Sequence, residues 1–313
     1  MPMAKIDLVE SPSFGEIEKA RSAGKLGIAL HGSSSSGKTW SALDWFIVEL
    51  QRNPGKTLRV FRFDRATCRD SCVADFIATM ETRFKLWDES RWSRSDFIYR
   101  FPNGSQVIFT GASNPSKLKG PRQDYAFINE ALEVPKESFE QIVSRTREFT
   151  VIDFNPALLQ SWCYDVEKDP DWAYYRSTFR ENVGLPEASR KRILSWEPTK
   201  ENKARGTADE YMWNVFGLGK IGVRKGAIYK HWMETDQWPE PMACERHGFG
   251  LDFGFTDPTA LVECALFQGR LYLREWICER DLCAQEHPND PGLKSLEGRM
   301  EELGVSKSLR IYC

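Results

Sequence analysis

Eight consecutive residues constrain this chain more than anything else in it: Gly32-Ser33-Ser34-Ser35-Ser36-Gly37-Lys38-Thr39, a match to G-x-x-x-x-G-K-[ST]. An apolar run, Gly27-Ile28-Ala29-Leu30-His31, leads into it, and Ser41-Ala42-Leu43-Asp44-Trp45-Phe46 leads out with helical periodicity. Strand, glycine-bounded loop and helix in that order form a phosphate cradle. The glycines let backbone amides curl round phosphate oxygens, and the helix N-terminus contributes the positive end of its dipole. Gly32, Ser33, Ser34, Ser35, Ser36 and Gly37 are thus the expected loop. Lys38 is the group that reaches the β- and γ-phosphates, and Thr39 the hydroxyl that ligates Mg²⁺. ATP with Mg²⁺ is the expected occupant. The competing reading, a serine-rich loop without a ligand, leaves the flanking strand and helix unexplained.

Such a loop needs an α/β sheet around it, and the first 155 residues supply the pattern. Strands are expected at 27–31, 58–63, 106–110, 126–129 and 150–153, and helices at 41–52, 68–84 and 136–146. Alternation of strand and helix predicts parallel pairing. Pro102, Asn103 and Gly104 predict a hairpin between 97–101 and 106–110, which makes the sheet mixed.

A phosphate loop also needs an acid opposite it. Tyr125-Ala126-Phe127-Ile128-Asn129-Glu130-Ala131 is an apolar strand closing in Asn-Glu. Glu130 is placed to orient and deprotonate the water that attacks the γ-phosphate; the alternative is a helix-start glutamate. Asn129 stands where an aspartate ordinarily holds the metal, and a neutral amide there positions a metal-bound water with less charge. Asp153-Phe154-Asn155-Pro156 ends the next strand, where a polar group is either a sensor of the γ-phosphate or a plain turn.

Composition closes other doors. The chain has 313 residues, 41% hydrophobic and 28% charged, with a formal net charge of −2, so any basic surface is local. No apolar run approaches the roughly 20 residues of a membrane span, and MPMAKIDLVE is not a signal peptide. Cys68, Cys72, Cys163, Cys244, Cys264, Cys278, Cys283 and Cys313 form no Cys-x-x-Cys pair. Cys278, Cys283 and His287 have the spacing of three zinc ligands but no second half. No nucleophile triad is evident.

From about 156 to 222 the character changes, with Trp162, Trp172, Trp196 and Trp213 among helical and polar segments. Residues 190–230 hold ten Lys or Arg against four Asp or Glu, either a solvated helical face or a surface that touches a polyanion. A second α/β beginning has strands at 247–253, 259–267 and 270–278, a turn at Gln268-Gly269, a helix at 293–303 and a last strand at 309–313. Asp252 lies inside the first of these strands, where burial of its charge calls for a metal; Asp257 follows at a turn, as a cap or a further ligand.

In this order, HGSSSSGKT at 31–39, AFINEA at 126–131, DFNP at 153–156 and GFGLDFGFTDPTA at 248–260 resemble the large terminase subunit of tailed double-stranded DNA viruses. RATCRDSCVADF at 65–76, RSTFRENVGLP at 176–186 and GKIGVRKGAIYKHW at 219–232 support the resemblance. It implies an α/β P-loop NTPase sheet of the ASCE type with helices on both faces, spanning 1–222, with a helical lid or linker from about 157. An RNase H-like nuclease domain would then occupy 223–313. It implies a motor that drives double-stranded DNA into a procapsid in the host cytoplasm. Such a motor works as a homo-oligomeric ring on a portal protein beside a small terminase subunit, is a monomer in isolation, and has no membrane association. By the same resemblance Lys38 and Thr39 hold MgATP, Glu130 drives hydrolysis, Asn155 couples hydrolysis to movement, and Asp252 is the first Mg²⁺ or Mn²⁺ ligand of the nuclease. The charge-stabilising arginine would come from Arg62, Arg65, Arg122, Arg145, Arg147 or a neighbouring subunit. The family's second nuclease aspartate follows a strand like 309–313, so the nuclease domain is expected to be incomplete and inactive in this chain. Alternatives are another P-loop translocase or helicase, a small-molecule kinase, and a prophage remnant that binds nucleotide or DNA without turnover.

Overall fold

A computed structural model describes residues 11–120, 122–222, 233, 235–254, 257–279, 282–283, 295–305 and 311–312. The chain divides into two compact units, Met1–Lys230 and His231–Cys313.

The first unit is built on an eight-stranded sheet: β1 (Gly27–Gly32), β2 (Thr57–Arg62), β3 (Trp92–Ser93), β4 (Ile98–Arg100), β5 (Gln106–Gly111), β6 (Gln123–Ile128), β7 (Thr146–Phe154) and β8 (Trp172–Ser177). Their lateral order is β3-β4-β5-β2-β6-β7-β1-β8. The six strands from β5 to β8 run parallel, and β4 and β3 add an antiparallel edge. This is the mixed sheet with a hairpin expected from the sequence. One strand, β7, separates β1, which feeds the phosphate loop, from acidic strand β6.

Alternation along the strands divides the core between two faces. Tyr125 and Phe127 of β6 pack with Leu58, Val60, Phe109 and Val151 under helices α1 (Pro12–Ser22) and α2 (Lys38–Arg52). Ala126 and Ile128 face the other way, with Phe61, Ile152 and Phe154, under the helix Lys136–Val143. Burial on both faces explains why these strands read as continuous apolar runs.

Three sequence expectations are modified. The stretch 68–84 is not one regular helix: α-helical turns at Arg65–Cys68 and Ala74–Thr79 alternate with wider π turns at Arg69–Val73 and Met80–Phe84. The helix expected at 136–146 stops at Val143, and β7 already begins at Thr146. The stretch from 156 to 222 is not all helical, because β8 joins the main sheet alongside β1. The rest of that stretch has a small core of its own, Phe179, Ile193 and Trp213, with Leu185, Trp196 and Leu218 against it.

The second unit contains a four-stranded sheet of β9 (Arg246–Asp252), β10 (Thr259–Phe267), β11 (Arg270–Glu279) and β12 (Ile311–Tyr312), ordered β11-β10-β9-β12. Gln268 and Gly269, at φ +50° and +69°, form the tight turn between β10 and β11. Strand β12 pairs parallel with β9 at Phe249 and Gly250. The helix Leu296–Glu302, capped by Ser295, packs Leu296 against Phe249, Leu261 and Ile277. Residues 223–232, Phe255, Thr256, His287 and 309–310 lie outside the described residues, and with them part of the basic stretch and the third zinc-spaced side chain. Among the described residues no helix is long and apolar enough to cross a membrane.

Asp44 on α2 is a buried carboxylate whose Oδ2 meets Arg83 at 2.6 Å, while Oδ1 has no hydrogen-bond partner. Burial pushes its carboxyl up to about 6, against the pull of Arg83. A pKa raised above the unfolded value makes folding less favourable as pH rises from about 4 to about 6, a penalty of order 3 kcal/mol once complete. Asp44→Asn is therefore expected to raise the melting temperature more at pH 8 than at pH 5. A gain no larger at pH 8, in thermal denaturation followed by circular dichroism, would contradict the burial argument.

Candidate nucleotide-binding site

Backbone geometry first fixes the loop. Gly32 lies so close to β8 that a Cβ there would sit 2.0 Å from the Ser177 carbonyl oxygen. Gly37 adopts φ +86° as the N-cap of α2, a left-handed conformation that glycine enters without a Cβ penalty. The serines then fasten the loop from both sides. Ser33 N–H donates to the Ser177 carbonyl (3.0 Å), and Ser33 Oγ accepts from Phe179 N–H (2.6 Å). Ser177 Oγ bonds Ser36 Oγ at 2.9 Å, and Asn182 Nδ2 donates to the Ser35 carbonyl at 2.9 Å. From the other direction Ser34 N–H donates to the Phe216 carbonyl (3.0 Å), and Gly219 packs against Gly32. The phrase 176–186 and the segment around Trp213–Gly217 thus form the wall of the loop.

Lys38 is buried and donates to the Ser33 carbonyl (2.9 Å) and to Ser36 Oγ (3.4 Å). Burial lowers its pKa, while the charges of Asp153 and Glu130 oppose that shift. Thr39 donates its hydroxyl proton to Asp153 Oδ2 at 2.6 Å.

Asp153 is the meeting point of the site. It is the penultimate residue of the strand between β1 and β6, opposite Leu30 in the β1 register, while Ile128 of β6 pairs with the preceding Ile152. Its Oδ1 accepts from Glu130 N–H at 2.9 Å, and Asn129 Nδ2 donates to both oxygens, at 2.9 and 3.1 Å. Because both oxygens of Asp153 are acceptors, the Asn129 amide must turn its NH₂ toward them. Its Oδ1 accordingly accepts from the Cys72 thiol at 3.3 Å. Asp153 is 1% exposed, and burial pushes its carboxyl pKa up against the charge of Lys38 and the bonds it accepts.

Glu130 follows in a left-handed conformation, φ +51°, strained for a residue with a side chain. Its backbone is held there by Asp153. Burial, with the Asp153 charge second, pushes the Glu130 carboxyl up to about 7, against the pull of Lys38 and Arg62. Asn155 donates to the Gly32 carbonyl at 2.7 Å, so the strand-end motif grips the start of the loop directly.

Of the five candidate arginines, Arg62 has its charge on Glu130; it donates to Ser71 Oγ at 2.9 Å and lies 3.4 Å from Glu133. Arg65 stacks over Phe97, Arg145 bonds Gln141, Arg147 faces Asp124, and Arg122 is exposed.

In the second unit Asp252 ends β9 opposite Ala260 and is exposed, as is Asp257. The buried-charge premise for Asp252 therefore does not hold. The carboxylate buried in this sheet is Glu263, which meets His247 Nε2 at 2.7 Å and accepts from Trp276 Nε1 at 2.8 Å. Among the described residues no three His, Cys, Asp or Glu side chains are grouped to hold a metal.

Ser177 and Asn182 join the site without an individual signal in the sequence, and Asp153 with only that of the strand end 153–156. The shared signal was that 153–156 and 176–186 belonged to the stretches that carried the resemblance.

A family model described as phage terminase large subunit matches residues 26–210, more than half of the chain. The PBSX phage terminase large subunit of Bacillus subtilis (strain 168) is 26% identical over 278 residues, covering 78% of this chain. The chain spans 62% of that relative's length. Among solved structures, the large terminase from a thermophilic bacteriophage matches with TM-score 0.53 at 14% identity, over 97% of this chain and 76% of that one. The same enzyme in complex with ADP matches with TM-score 0.50 at 14% identity, over 96% and 75%. At such identity these two matches bear on the fold.

The contact of Gly32 with Ser177 makes a direct test. Gly32→Ala must push β8 away from the loop, an overpacking cost of about 2–3 kcal/mol. Its melting temperature is expected to fall by about 5–10 °C, and a variant melting within a degree of wild type would contradict the seating of the loop.

Proposed function

The chain belongs to the phage terminase large subunit family, and on that premise we propose that its first unit is an ATPase that powers DNA packaging. The observation that carries this reading is the convergence of Lys38, Thr39 and Glu130 on one side of a loop whose backbone is already fixed. On entry of ATP, Lys38 exchanges its bonds to Ser33 and Ser36 for phosphate oxygens, and the loop amides take the remaining charge. The groups present fit a hard divalent cation: the Thr39 hydroxyl is an oxygen ligand, and the Asp153 carboxylate it donates to places negative charge behind it. Mg²⁺ bound there would neutralise charge on the β- and γ-phosphates. Glu130 takes the proton of the water that attacks the terminal phosphorus, and the bond to the ADP oxygen breaks. Asn155, bonded to Gly32, relays loss of the terminal phosphate from the loop to the segment that follows it.

The polymer moved is double-stranded DNA, driven into a procapsid in the host cytoplasm by a ring of these subunits on a portal, with a small terminase subunit. Exposed Lys191, Arg192, Lys200, Lys203 and Arg205 supply a DNA-facing charge. We place residues 1–222 in the ATPase with its lid and 223–313 in an RNase H-like unit. There Asp252, with Asp257 as a weaker second, is the candidate ligand for Mg²⁺ or Mn²⁺.

Four outcomes follow. Lys38→Ala is expected to lose ATP binding. Glu130→Gln is expected to keep binding and lose hydrolysis by about 100-fold or more, measured with and without duplex DNA; unchanged turnover in both variants would sink the assignment. DNA affinity should fall steeply between 50 and 200 mM salt, roughly as counterion release requires. Two exposed aspartates do not hold a two-metal centre, so plasmid should stay uncut with Mg²⁺ or Mn²⁺, and cleavage abolished by Asp252→Ala would overturn that.

A further inference from the structure

Asn129 leaves the metal side of the site without the charge that its position ordinarily carries. Its amide cannot repair this, because the NH₂ group is committed to Asp153 and Thr39 and the oxygen to Cys72. The charge that is present sits one strand away. Asp153 reaches the same point because β7 lies between β1 and β6, and parallel pairing brings all three strand ends to one edge.

We infer that Asp153 is the positioning acid of this nucleotide site: it orients the Thr39 hydroxyl and supplies, from β7, the negative charge that Asn129 lacks on β6. The inference rests on the reading of residues 32–39 as a site for nucleotide with Mg²⁺. A threonine hydroxyl has one proton and two lone pairs. With the proton directed to Asp153 Oδ2 at 2.6 Å and one lone pair accepting from Asn129 Nδ2 at 3.3 Å, the other lone pair of Thr39 is left for a cation. Asp153 thus acts on the metal through Thr39, as an outer partner orients a ligand. A carboxylate is required for this, since its two oxygens accept separately from Thr39 and from Glu130 N–H, whereas an amide would turn an NH₂ donor toward one of these two donors. The same carboxylate holds Glu130 N–H at 2.9 Å, so one group sets both the hydroxyl on the metal side and the backbone of the general base. Nothing in a purely structural role demands that a carboxylate 1% exposed face an amide, a hydroxyl and a backbone N–H. Replacing it with an apolar residue would cost less burial energy.

The geometry also predicts a mirror arrangement. If residues 129 and 153 exchange types, the carboxylate moves to β6 and the amide to β7, side by side as before. Binding of a fluorescent ADP analogue to the full chain, titrated with and without Mg²⁺, separates the possibilities. Wild type is expected to bind more tightly with Mg²⁺. Asp153→Asn is expected to reduce that Mg²⁺ enhancement by about 10–100-fold while binding of the metal-free analogue changes little. Adding Asn129→Asp to Asp153→Asn should restore the enhancement to near wild type. An Asp153→Asn protein with the wild-type Mg²⁺ enhancement overturns the inference, as does a double variant that does not regain it. Should Asp153→Asn fail to fold, the double variant decides alone, and one that is equally unfolded also counts against the inference. Absence of any nucleotide binding by wild type would instead overturn the underlying reading and the inference with it.

Discussion

Parallel pairing of β6, β7 and β1 is the constraint on which the rest of the site depends. It brings three strand ends to the same edge of the sheet, so Asn129, Asp153 and the start of the phosphate loop become neighbours although they are far apart in sequence. An antiparallel partner in the middle would have sent one of those ends to the opposite edge. The apolar faces of β6 and β7, buried under helices on both sides, hold that register. The polar residues at the strand tips are then left where no apolar partner is available.

Fixing the loop is a separate problem, solved by its surroundings. A loop of four serines has a flexible backbone and many local hydrogen-bonding choices. Here the choices are removed one at a time: Ser33 by Ser177 and Phe179, Ser34 by Phe216, Ser35 by Asn182 and Ser36 by Ser177. The resulting cradle is formed before any ligand arrives, which lowers the ordering cost of binding. Its walls come from residues 176–219, so movement of that segment and the shape of the cradle are mechanically joined through these bonds.

Much of this was legible in the sequence, for identifiable reasons. The phosphate loop announces itself because its glycines and lysine are demanded by local geometry. Strands β1, β6 and β7 announce themselves because burial on two faces leaves apolar runs, and β2 and β5 because Leu58 and Val60, and Val107 and Phe109, are buried in alternation. Strand β8 was hidden, since Trp-Ala-Tyr-Tyr-Arg-Ser is only partly buried and carries neither a clear alternation nor a continuous run. The role of Asp153 was hidden for a deeper reason. The local pattern at 153–156 does not separate Asp153 from Asn155, and only lateral strand order, which no local pattern encodes, shows that β7 lies between the loop and the acid. Asp252 failed in the opposite sense: an apolar neighbourhood in sequence suggested burial, but the residue sits at a strand end and is exposed.

The central claim is that residues 32–39 form a ready cradle for nucleotide, with Lys38 held in reserve by the loop's own carbonyl. A crystal structure of the chain with Mg²⁺ and a non-hydrolysable ATP analogue tests this most directly. The account predicts phosphates against the amides of residues 33–39, Lys38 Nζ moved from the Ser33 carbonyl to a phosphate oxygen, and the tethers to Ser177 and Asn182 intact. An analogue bound elsewhere, or a loop that had to leave β8 to accept it, would contradict the account.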